Sequence, residues 1–539
     1  MEVRRAQVLI VGGGPVGLTL AIDLGRRGVS CVLVDMREAP GFLPKMERCN
    51  ARTMEFYRRL GISEQIRDAG FDRDLPMDVF VVKDLVTKPL VHHHYPSVNE
   101  LKRRGSAVND GTYPLEPYHL ISQYTLEPLL RAVAEGMPSV EVVFGAELVD
   151  FDDDGRQVVA TVAPTTAGGS GFEVISDFLV GCDGANSFVR SQLEIELRGE
   201  SGIDLYQALF RCDDLFERIP IGKGRHYHVA DDQNTFLIVQ DDRRHFSLHA
   251  SVAEPDEMAP LFERIVGMPI EYETLYVGRW TQRLMVADRY RRGRVFLAGD
   301  AAHLVIPTGG LGMNTGAGDA IDLGWKLAGA LRGWAGPELL DAYELERRPI
   351  GVRNVAASTK AARGRRSWRD GYRPEMFDDT SEGRRLLKRY IEIADLEQPK
   401  SNDLYGIELG YRYETSPVIM AEGGDGPDPD SFVYVPTARP GARLPHLWDD
   451  QHIAVHDRIG LHDYTLLVGD RDLETTPLRE AFAEIGAPYR EVELRASAGR
   501  GVYKCDLILV RPDLHVVWRG DRLPDDVGAM ARLATGHGR

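Results

Sequence analysis

Two stretches of this chain combine glycines, an acidic residue and a helix start at spacings suited to a phosphate-bearing or electron-rich ligand, and a third ends an apolar strand in Asp-Gly. The first reads Gly12-Gly13-Gly14-Pro15-Val16-Gly17, preceded by the apolar residues 8–11 and followed by Cys31-Val-Leu-Val-Asp35. A G-x-G-x-x-G turn between strand and helix, with an acid ending the next strand, brings a pyrophosphate to a helix N-terminus and an acceptor to a ribose 2′-hydroxyl. Met36 and Arg37 follow directly. The second stretch is Val295-Phe-Leu-Ala-Gly299-Asp300, then Pro307-Thr-Gly-Gly310-Leu311-Gly312-Met313-Asn314, then apolar residues at helical spacing through Ile321, Trp325 and Leu331. Its glycines let the backbone approach a ligand, and the helix start favours negative charge. The third is Phe178-Leu-Val-Gly-Cys-Asp183-Gly184, with Arg190 seven residues beyond the aspartate.

Regular elements must position these groups. Residues 8–11 and 31–35 read as buried strands flanking a helix over 15–28, and residues 295–298 as a strand of the same parallel sheet. Between 36 and 61 a loop and helix carry three basic residues, Lys45, Arg48 and Arg52. From 200 to 285 the character changes. Arg225-His-Tyr-His-Val, Thr235-Phe-Leu-Ile-Val and His245-Phe-Ser-Leu-His are β-rich runs broken at Asp231-Asp232 and Asp241-Asp242, the signature of an antiparallel meander. Such a sheet can roof a pocket with alternate side chains, so His226, Tyr227, His228 and His249 are candidate pocket groups. In His92-His93-His94 only the outer two share a strand face and no third ligand sits at metal-binding spacing, so no metal is assigned.

Composition excludes other classes. The 539 residues exceed one core, 43% are hydrophobic and 27% charged, and 65 basic against 82 acidic residues leave a net charge of −17 with no basic run. That argues against nucleic-acid binding and against an anionic-membrane anchor. No stretch approaches the ~20 apolar residues of a membrane span. Five cysteines, dispersed and odd in number, make no disulfide framework and, with no signal-peptide pattern, point to the cytoplasm.

The motif Gly-Asp-Ala-Ala-His…Pro-Thr-Gly-Gly-x-Gly-Met-Asn…Asp-Ala…Leu-x-Trp-Lys-Leu-Ala closely resembles the second flavin motif of the single-component aromatic hydroxylases, the para-hydroxybenzoate hydroxylase family. The resemblance assigns the first motif to FAD and extends to Asp183-Gly184…Arg190, to Gln123 as the Gln that opens a helix beside the cofactor, and to Tyr343-Glu-Leu-Glu-Arg-Arg348-Pro; it implies that one of Lys45, Arg48 and Arg52 contacts the FAD phosphate or the nicotinamide nucleotide. It implies that Asp300 binds the ribityl chain, that N–H groups near Gly312 to Asn314 face the N1/C2=O edge of the ring, and that Pro307 lies at the pocket edge. It also implies NADPH or NADH as reductant, a small aromatic substrate with O2, and hydroxylation of a phenolic or polycyclic ring through a flavin C4a-hydroperoxide. Leu311 departs from the Gln or Lys of many members. A halogenase of the same fold would carry a Trp-x-Trp-x-Ile-Pro motif, absent here, whereas an oxidase or reductase would share every FAD motif. The C-terminal stretch, with Arg439-Pro-Gly-Ala-Arg443 and Cys505-Asp-Leu-Ile-Leu-Val-Arg511, resembles the thioredoxin-like domain of larger members. Lacking Cys-x-x-Cys, it is read as packing or dimerisation surface.

The expected architecture is therefore α/β. A Rossmann-like FAD domain spans 1–80, 105–190 and 285–395, an antiparallel substrate sheet 81–104 and 191–284, a linker 396–429, and a thioredoxin-like domain 430–539.

Overall fold

The computed structural model describes residues 2–43, 45–166, 169–495 and 499–538. Five strands lie parallel in the spatial order Val295–Leu297, Phe172–Gly181, Glu2–Val11, Cys31–Asp35 and Val140–Phe144. Their centres are continuous apolar runs, because helices cover both faces of a parallel sheet. Val8, Leu9, Ile10, Leu179, Val180 and Phe296 are all fully buried. Helix Pro15–Arg26 packs directly against helix Gly312–Leu331.

The register of this sheet explains why three distant motifs form one site. Val11 pairs with Gly181, and Gly181 with Leu297. The strands therefore end level with one another, and Gly12, Cys182 and Ala298 start their loops side by side at the carboxyl edge. Ligands of open α/β sheets bind there. Backbone bonds continue past the strands, from Cys182 N–H to Val11 C=O at 2.7 Å and from Ala298 N–H to Gly181 C=O at 3.0 Å.

The expected meander is present as His226–Val229, Phe236–Val239 and His245–Ala250, paired antiparallel. It belongs to an eight-stranded sheet with the long strands Leu197–Arg211 and Glu273–Ala287. One pairing departs from the antiparallel expectation: His226–Val229 lies parallel to Val79–Val82, because the chain reaches that strand through the FAD domain and not through a hairpin. Alternation divides the sheet's faces. Tyr227, Leu237, Phe246 and Leu248 join Phe210 and Phe262 in one core, leaving His226, His228, Phe236, Ser247 and His249 on the opposite face.

The third sheet is built from Tyr489–Glu493, Tyr464–Val468, Leu507–Val510 and Val516–Gly520, one parallel pair followed by antiparallel neighbours. That is the pattern of a thioredoxin-like domain. All five cysteines are free and buried, and burial pushes the Cys505 thiol up to about 11.

This domain docks through buried charges. Arg443 forks onto Glu55 of helix Ala51–Arg59, with Nε 2.7 Å from Oε2. Arg511 reaches Glu346 Oε1 at 2.6 Å and Asp322 Oδ1 at 3.1 Å, and Lys326 bridges both carboxylates at 2.6 Å. The segment 396–429, read as a linker, is only partly one. Tyr405–Leu409 is a short helix with Ile407, Glu408 and Leu409 buried. Sequence punctuation marks the exposed stretch 421–426 well, but gives no sign that residues 404–419 fill a gap beneath helix Pro337–Arg369.

Burial alone would raise the Glu55 carboxyl, but the Arg443 guanidinium overrides it and holds the group at about 2. A carboxylate depressed on folding stabilises above its unfolded value and loses that contribution as pH falls through the folded one. Docking of the C-terminal domain should therefore weaken as pH falls from about 4.5 toward 2, seen as earlier protease cleavage between the domains. Arg443→Ala, which strands a buried carboxylate, should cost ~3–5 kcal/mol in urea unfolding at pH 7. A variant as stable as the parent would refute this account of docking.

Candidate flavin and substrate site

The first glycine loop holds an open cradle. Gly12 has φ of +109°, and a Cβ there would strike the Cys182 carbonyl. A Cβ on Gly17 would collide with the Gly12 carbonyl, whereas one on Gly14 would meet nothing within 4 Å. The turn is thus closed on its protein side and free on the other. Gly14 caps helix Pro15–Arg26 without any side-chain bond, with Pro15 opening the helix, so the leading N–H groups stay available to a phosphate. Val16 packs at this crossing. A Cβ on Gly299 would come within 2.9 Å of it, and one on Gly316 within 2.5 Å. Its duty is to interlock the two FAD motifs.

The acid after the second strand is already engaged. Asp35 accepts Gly13 N–H at 2.6 Å and Arg37 Nη2 at 2.9 Å. It is buried, and a ribose hydroxyl would find only its remaining lone pairs. Arg37, half exposed and bridging to Glu127 at 3.3 Å, stands at the cleft's rim beside the exposed Met36.

Of the three basic candidates, the structure separates the roles. Lys45 is exposed and close enough to Asp300 to stabilise its charge. Arg48 is buried, donating to Gly309 C=O and to Glu408, both at 2.7 Å. Arg48 therefore braces the second glycine loop from behind. Arg52 points away, to Asp513 C=O of the C-terminal domain at 2.8 Å.

The second motif is fixed by one buried carboxylate. Asp319 accepts Gly299 N–H at 3.0 Å, His303 Nε2 at 2.7 Å and Arg347 Nε at 2.8 Å. Gly299 takes a positive φ of +64°, and this turn leaves Asp300 exposed at the cleft. Surrounding protein raises the Asp300 carboxyl above its usual value, with His303 and Lys45 opposing. An acid ringed by protein yet open on one face suits the hydroxyls of a ribityl chain.

Pro307 is exposed, and its carbonyl closes a turn onto Gly310 N–H at 2.8 Å. Gly310 has φ of +63°, and a Cβ there would press on Arg48. Helix Gly312–Leu331 begins without a side-chain cap, so the N–H groups of Gly312, Met313 and Asn314 lack intrahelical acceptors. The Asn314 side chain staples the loop, donating to Gly310 C=O at 2.6 Å and accepting Asn50 N–H at 2.8 Å. Leu311 is 2% exposed and packs with Ala357, Leu404 and Ile407. Its departure from the family pattern is a core anchor. A Cβ on Gly312 would meet only the Val305 carbonyl, at 3.7 Å; the protein itself does not demand glycine here.

Asp183 caps helix Phe188–Gln192 through Ser187 Oγ at 2.5 Å and Val189 N–H at 3.0 Å. Burial still leaves its carboxyl raised. Arg190 donates to Ala301 C=O at 3.0 Å and Ala185 C=O at 2.9 Å, steadying the turn that carries Asp300. Gln123 donates to Glu127 at 2.5 Å where helix Gln123–Glu135 starts.

Sequence reasoning missed the wall facing the sheet. Glu47 accepts His226 Nε2 at 2.6 Å. Helix Pro337–Arg369 adds Arg365 and Arg369, and Phe236 stacks on His249 at 4.6 Å between centroids. Burial lowers His249 to about 3 and holds His228 well below its usual value, so both are neutral. Glu47 sits next to Arg48, and that adjacency was the available signal. Outside this region, His92 and His94 both face Asp78, at 2.6 and 3.3 Å, a third donor that spacing could not reveal. A cavity of about 310 Å³ lined by Arg58, Leu101, Tyr113 and Trp448 opens at the seam with the C-terminal domain. None of the motif residues lines it.

Asp300→Ala should weaken FAD retention by ~1.5–3 kcal/mol, the worth of a charged hydrogen-bond acceptor. The flavin-to-protein ratio after dialysis measures this. Full retention would detach Asp300 from the cofactor.

Comparison with known proteins agrees with this geometry. Residues 5–358 match the family model described as "FAD binding domain", and residues 437–538 that described as "Aromatic-ring hydroxylase, C-terminal". The chain is 32% identical to "FAD-dependent monooxygenase apdD" of Emericella nidulans, over 95% of this chain and 87% of that one. It is also 32% identical to "4-methyl-5-nitrocatechol 5-monooxygenase" of a Burkholderia species, over 96% and 95%. Among solved structures it superposes on RebC, a rebeccamycin biosynthetic enzyme, with reduced flavin at TM-score 0.90, 32% identity and 99% and 100% coverage. A ternary complex of aklavinone-11 hydroxylase with FAD and aklavinone gives TM-score 0.80, 26% identity and 99% and 100% coverage. The chain belongs to the FAD-dependent aromatic-ring hydroxylases.

Proposed function

We propose that this enzyme hydroxylates a phenolic or polycyclic aromatic compound at the expense of NADPH or NADH and O2. One oxygen atom would enter the ring and the other leave as water, with the nicotinamide supplying two electrons. The observation that carries this reading is an uncapped helix N-terminus at Gly312, on a loop braced by Arg48, joined through the adjacent Glu47 to His226 of a histidine-lined sheet face. FAD, when bound, supplies two-electron chemistry and dioxygen activation.

The chain's own residues supply position, charge and dryness. The N–H groups of Gly312, Met313 and Asn314 stand where negative charge on a reduced ring would be stabilised. Arg48 and Asn314 hold that loop, so the donors are oriented before the reaction begins. On the substrate side, Glu47 accepts the Nε2–H of His226 at 2.6 Å, so Nδ1, which has no protein partner, is left as an acceptor. A phenol O–H offered there would have its oxygen made more electron-rich, which favours attack by the ring carbon. Phe236, His249 and Trp280 form an aromatic wall, His249 meeting Trp280 edge-on at 5.9 Å, and such a wall excludes water from the reacting centre.

The protein should purify yellow with dissociable FAD. Aromatic compounds that fit should accelerate NAD(P)H oxidation and yield a product one oxygen atom heavier, labelled from ¹⁸O2. Reductant consumption giving only hydrogen peroxide for every compound tested would favour an oxidase and overturn the reading.

Gly312→Val should uncouple the reaction. A larger side chain fits the protein but would enter the space before the helix start and displace the ring from its donors. Loss of such a donor costs ~2.7–4 kcal/mol in catalytic sites. The ratio of NAD(P)H consumed to product formed should rise while FAD content holds. An unchanged ratio with normal reduction would mean this loop does not touch the flavin.

A further inference from the structure

Several buried arginines surround the histidine-lined face, and all but one have an acceptor. Arg48 donates to Glu408 and Gly309 C=O, and Arg225 donates to Asn402 Oδ1 at 2.6 Å. Arg369 donates to Thr235 C=O at 3.2 Å and meets His228 Nδ1 at 3.3 Å. Arg365 is the exception. Like Arg225 and Arg369 it has no carboxylate within ion-pair distance among the described residues, and like theirs its Nε is shut away from solvent without a partner; unlike them, it also has no hydrogen-bond acceptor on its other nitrogens. An aromatic face lies beside it, with the guanidinium carbon 5.4 Å from the centroid of Phe236.

The position of Arg365 is equally specific. It lies seven residues beyond Ser358 on helix Pro337–Arg369, about two turns or roughly 10 Å along the axis. Ser358 Oγ donates to Thr308 C=O at 2.9 Å, beside the flavin loop. The surroundings of Arg365 include Arg369, Arg225 and Glu47, and it acts electrostatically on His226, His228 and His249 as well. Protein encloses the group, yet the residue keeps some accessible surface. Burial and the neighbouring arginines lower this guanidinium to about 9, which leaves it charged at neutral pH.

A cation enclosed in protein without a counter-ion is costly, and buried charges are ordinarily paired. Glu47, the nearest carboxylate in the electrostatic surroundings, is committed to His226 at 2.6 Å. The missing partner must come from outside the chain. A planar fork backed by an aromatic face matches an oxyanion in the plane of an aromatic ligand.

We propose that Arg365 is the receptor for an acidic oxygen on the aromatic substrate, a carboxylate or an ionised phenol, and that the enzyme thereby selects anionic over neutral ring systems. This rests on the reading of the space beneath the sheet as the substrate site. It adds a charge requirement to that reading and assigns it to one residue.

The test uses the FAD-loaded full chain without reductant, so that binding is scored apart from turnover. Anthraquinone-2-carboxylate, 2-hydroxyanthraquinone above its ionisation pH, and the methyl ester of the carboxylate are titrated by calorimetry. The wild type should bind at least one anion more tightly than the ester, and which anion it prefers separates carboxylate from phenolate. Arg365→Gln should weaken the preferred anion about 10- to 100-fold, the worth of a charged hydrogen bond, and leave the ester unchanged. Arg365→Lys should recover part of the loss. Because the free protein carries an uncompensated charge here, Arg365→Gln should also melt no lower than the parent. Equal binding of anions and ester, no binding of any of the three, or equal weakening of all three by Arg365→Gln would each overturn the proposal. If Arg365-dependent anion binding is found but no aromatic compound is hydroxylated, the oxygenation reading fails while this assignment stands.

Discussion

The site depends on one buried carboxylate. Asp319 is fully buried and binds three elements at once: the Gly299 turn, His303 on the strand after it, and Arg347 on the following helix. Burial alone would raise its carboxyl, but His303 and Arg347 outweigh that and hold it below the usual value. A buried charge this well surrounded is not chiefly a source of stability, since an apolar substitute could pack as well. Its effect is positional. Gly299 turns with positive φ and leaves Asp300 exposed, and the helix carrying Asp319 is the one that starts uncapped at Gly312. One residue therefore sets the distance between the Asp300 carboxylate and the N–H donors at Gly312.

The same helix carries a second charged layer that explains the C-terminal domain. Asp322, Lys326, Glu346, Arg511 and Asp513 form a buried cluster in which three acids face two bases. Arg511 and Lys326 hold Glu346 down, while burial and Glu346 push Asp322 up. The C-terminal domain thus supplies Arg511 to neutralise acids that the FAD domain buries. Arg52 makes the same point from the other side. Sequence alone leaves it beside Lys45 and Arg48 as a phosphate candidate, yet it is spent on Asp513 C=O.

Much of the flavin half could be read before any coordinates, because its constraints are local. The Gly12 turn, the Cys31–Asp35 strand and the Gly299 to Asn314 loop are each set by short-range sterics and by strand-to-helix geometry. The strand Cys31–Asp35 and the helix starting at Pro15 appear where spacing places them. The substrate half was legible only in outline. Alternation predicts which meander residues share a face, so His226, His228 and His249 could be named, but Tyr227, named with them, alternates to the opposite face and is buried in the core. It cannot say that Glu47 reaches His226 across 179 positions, or that a helix after residue 337 closes the chamber. Those contacts follow from how two domains meet, and no periodicity within either domain encodes that. The buried helix Tyr405–Leu409 was hidden for the same reason.

The electrostatics of the chamber follow from this division of labour. Three histidines on a sheet face would ordinarily suggest a site that charges and discharges near neutral pH. Here burial comes first for each: His249 is lowered to about 3, His228 well below its usual value, and His226 is lowered although Glu47 opposes it. The imidazoles therefore act as fixed dipoles. The charges that remain belong to arginines on one wall and to Glu47, and these do not change across the range in which the enzyme would work. A chamber whose field is set by permanent charges can admit an acidic aromatic ring, hold its oxygen and keep out water without gaining or losing protons of its own.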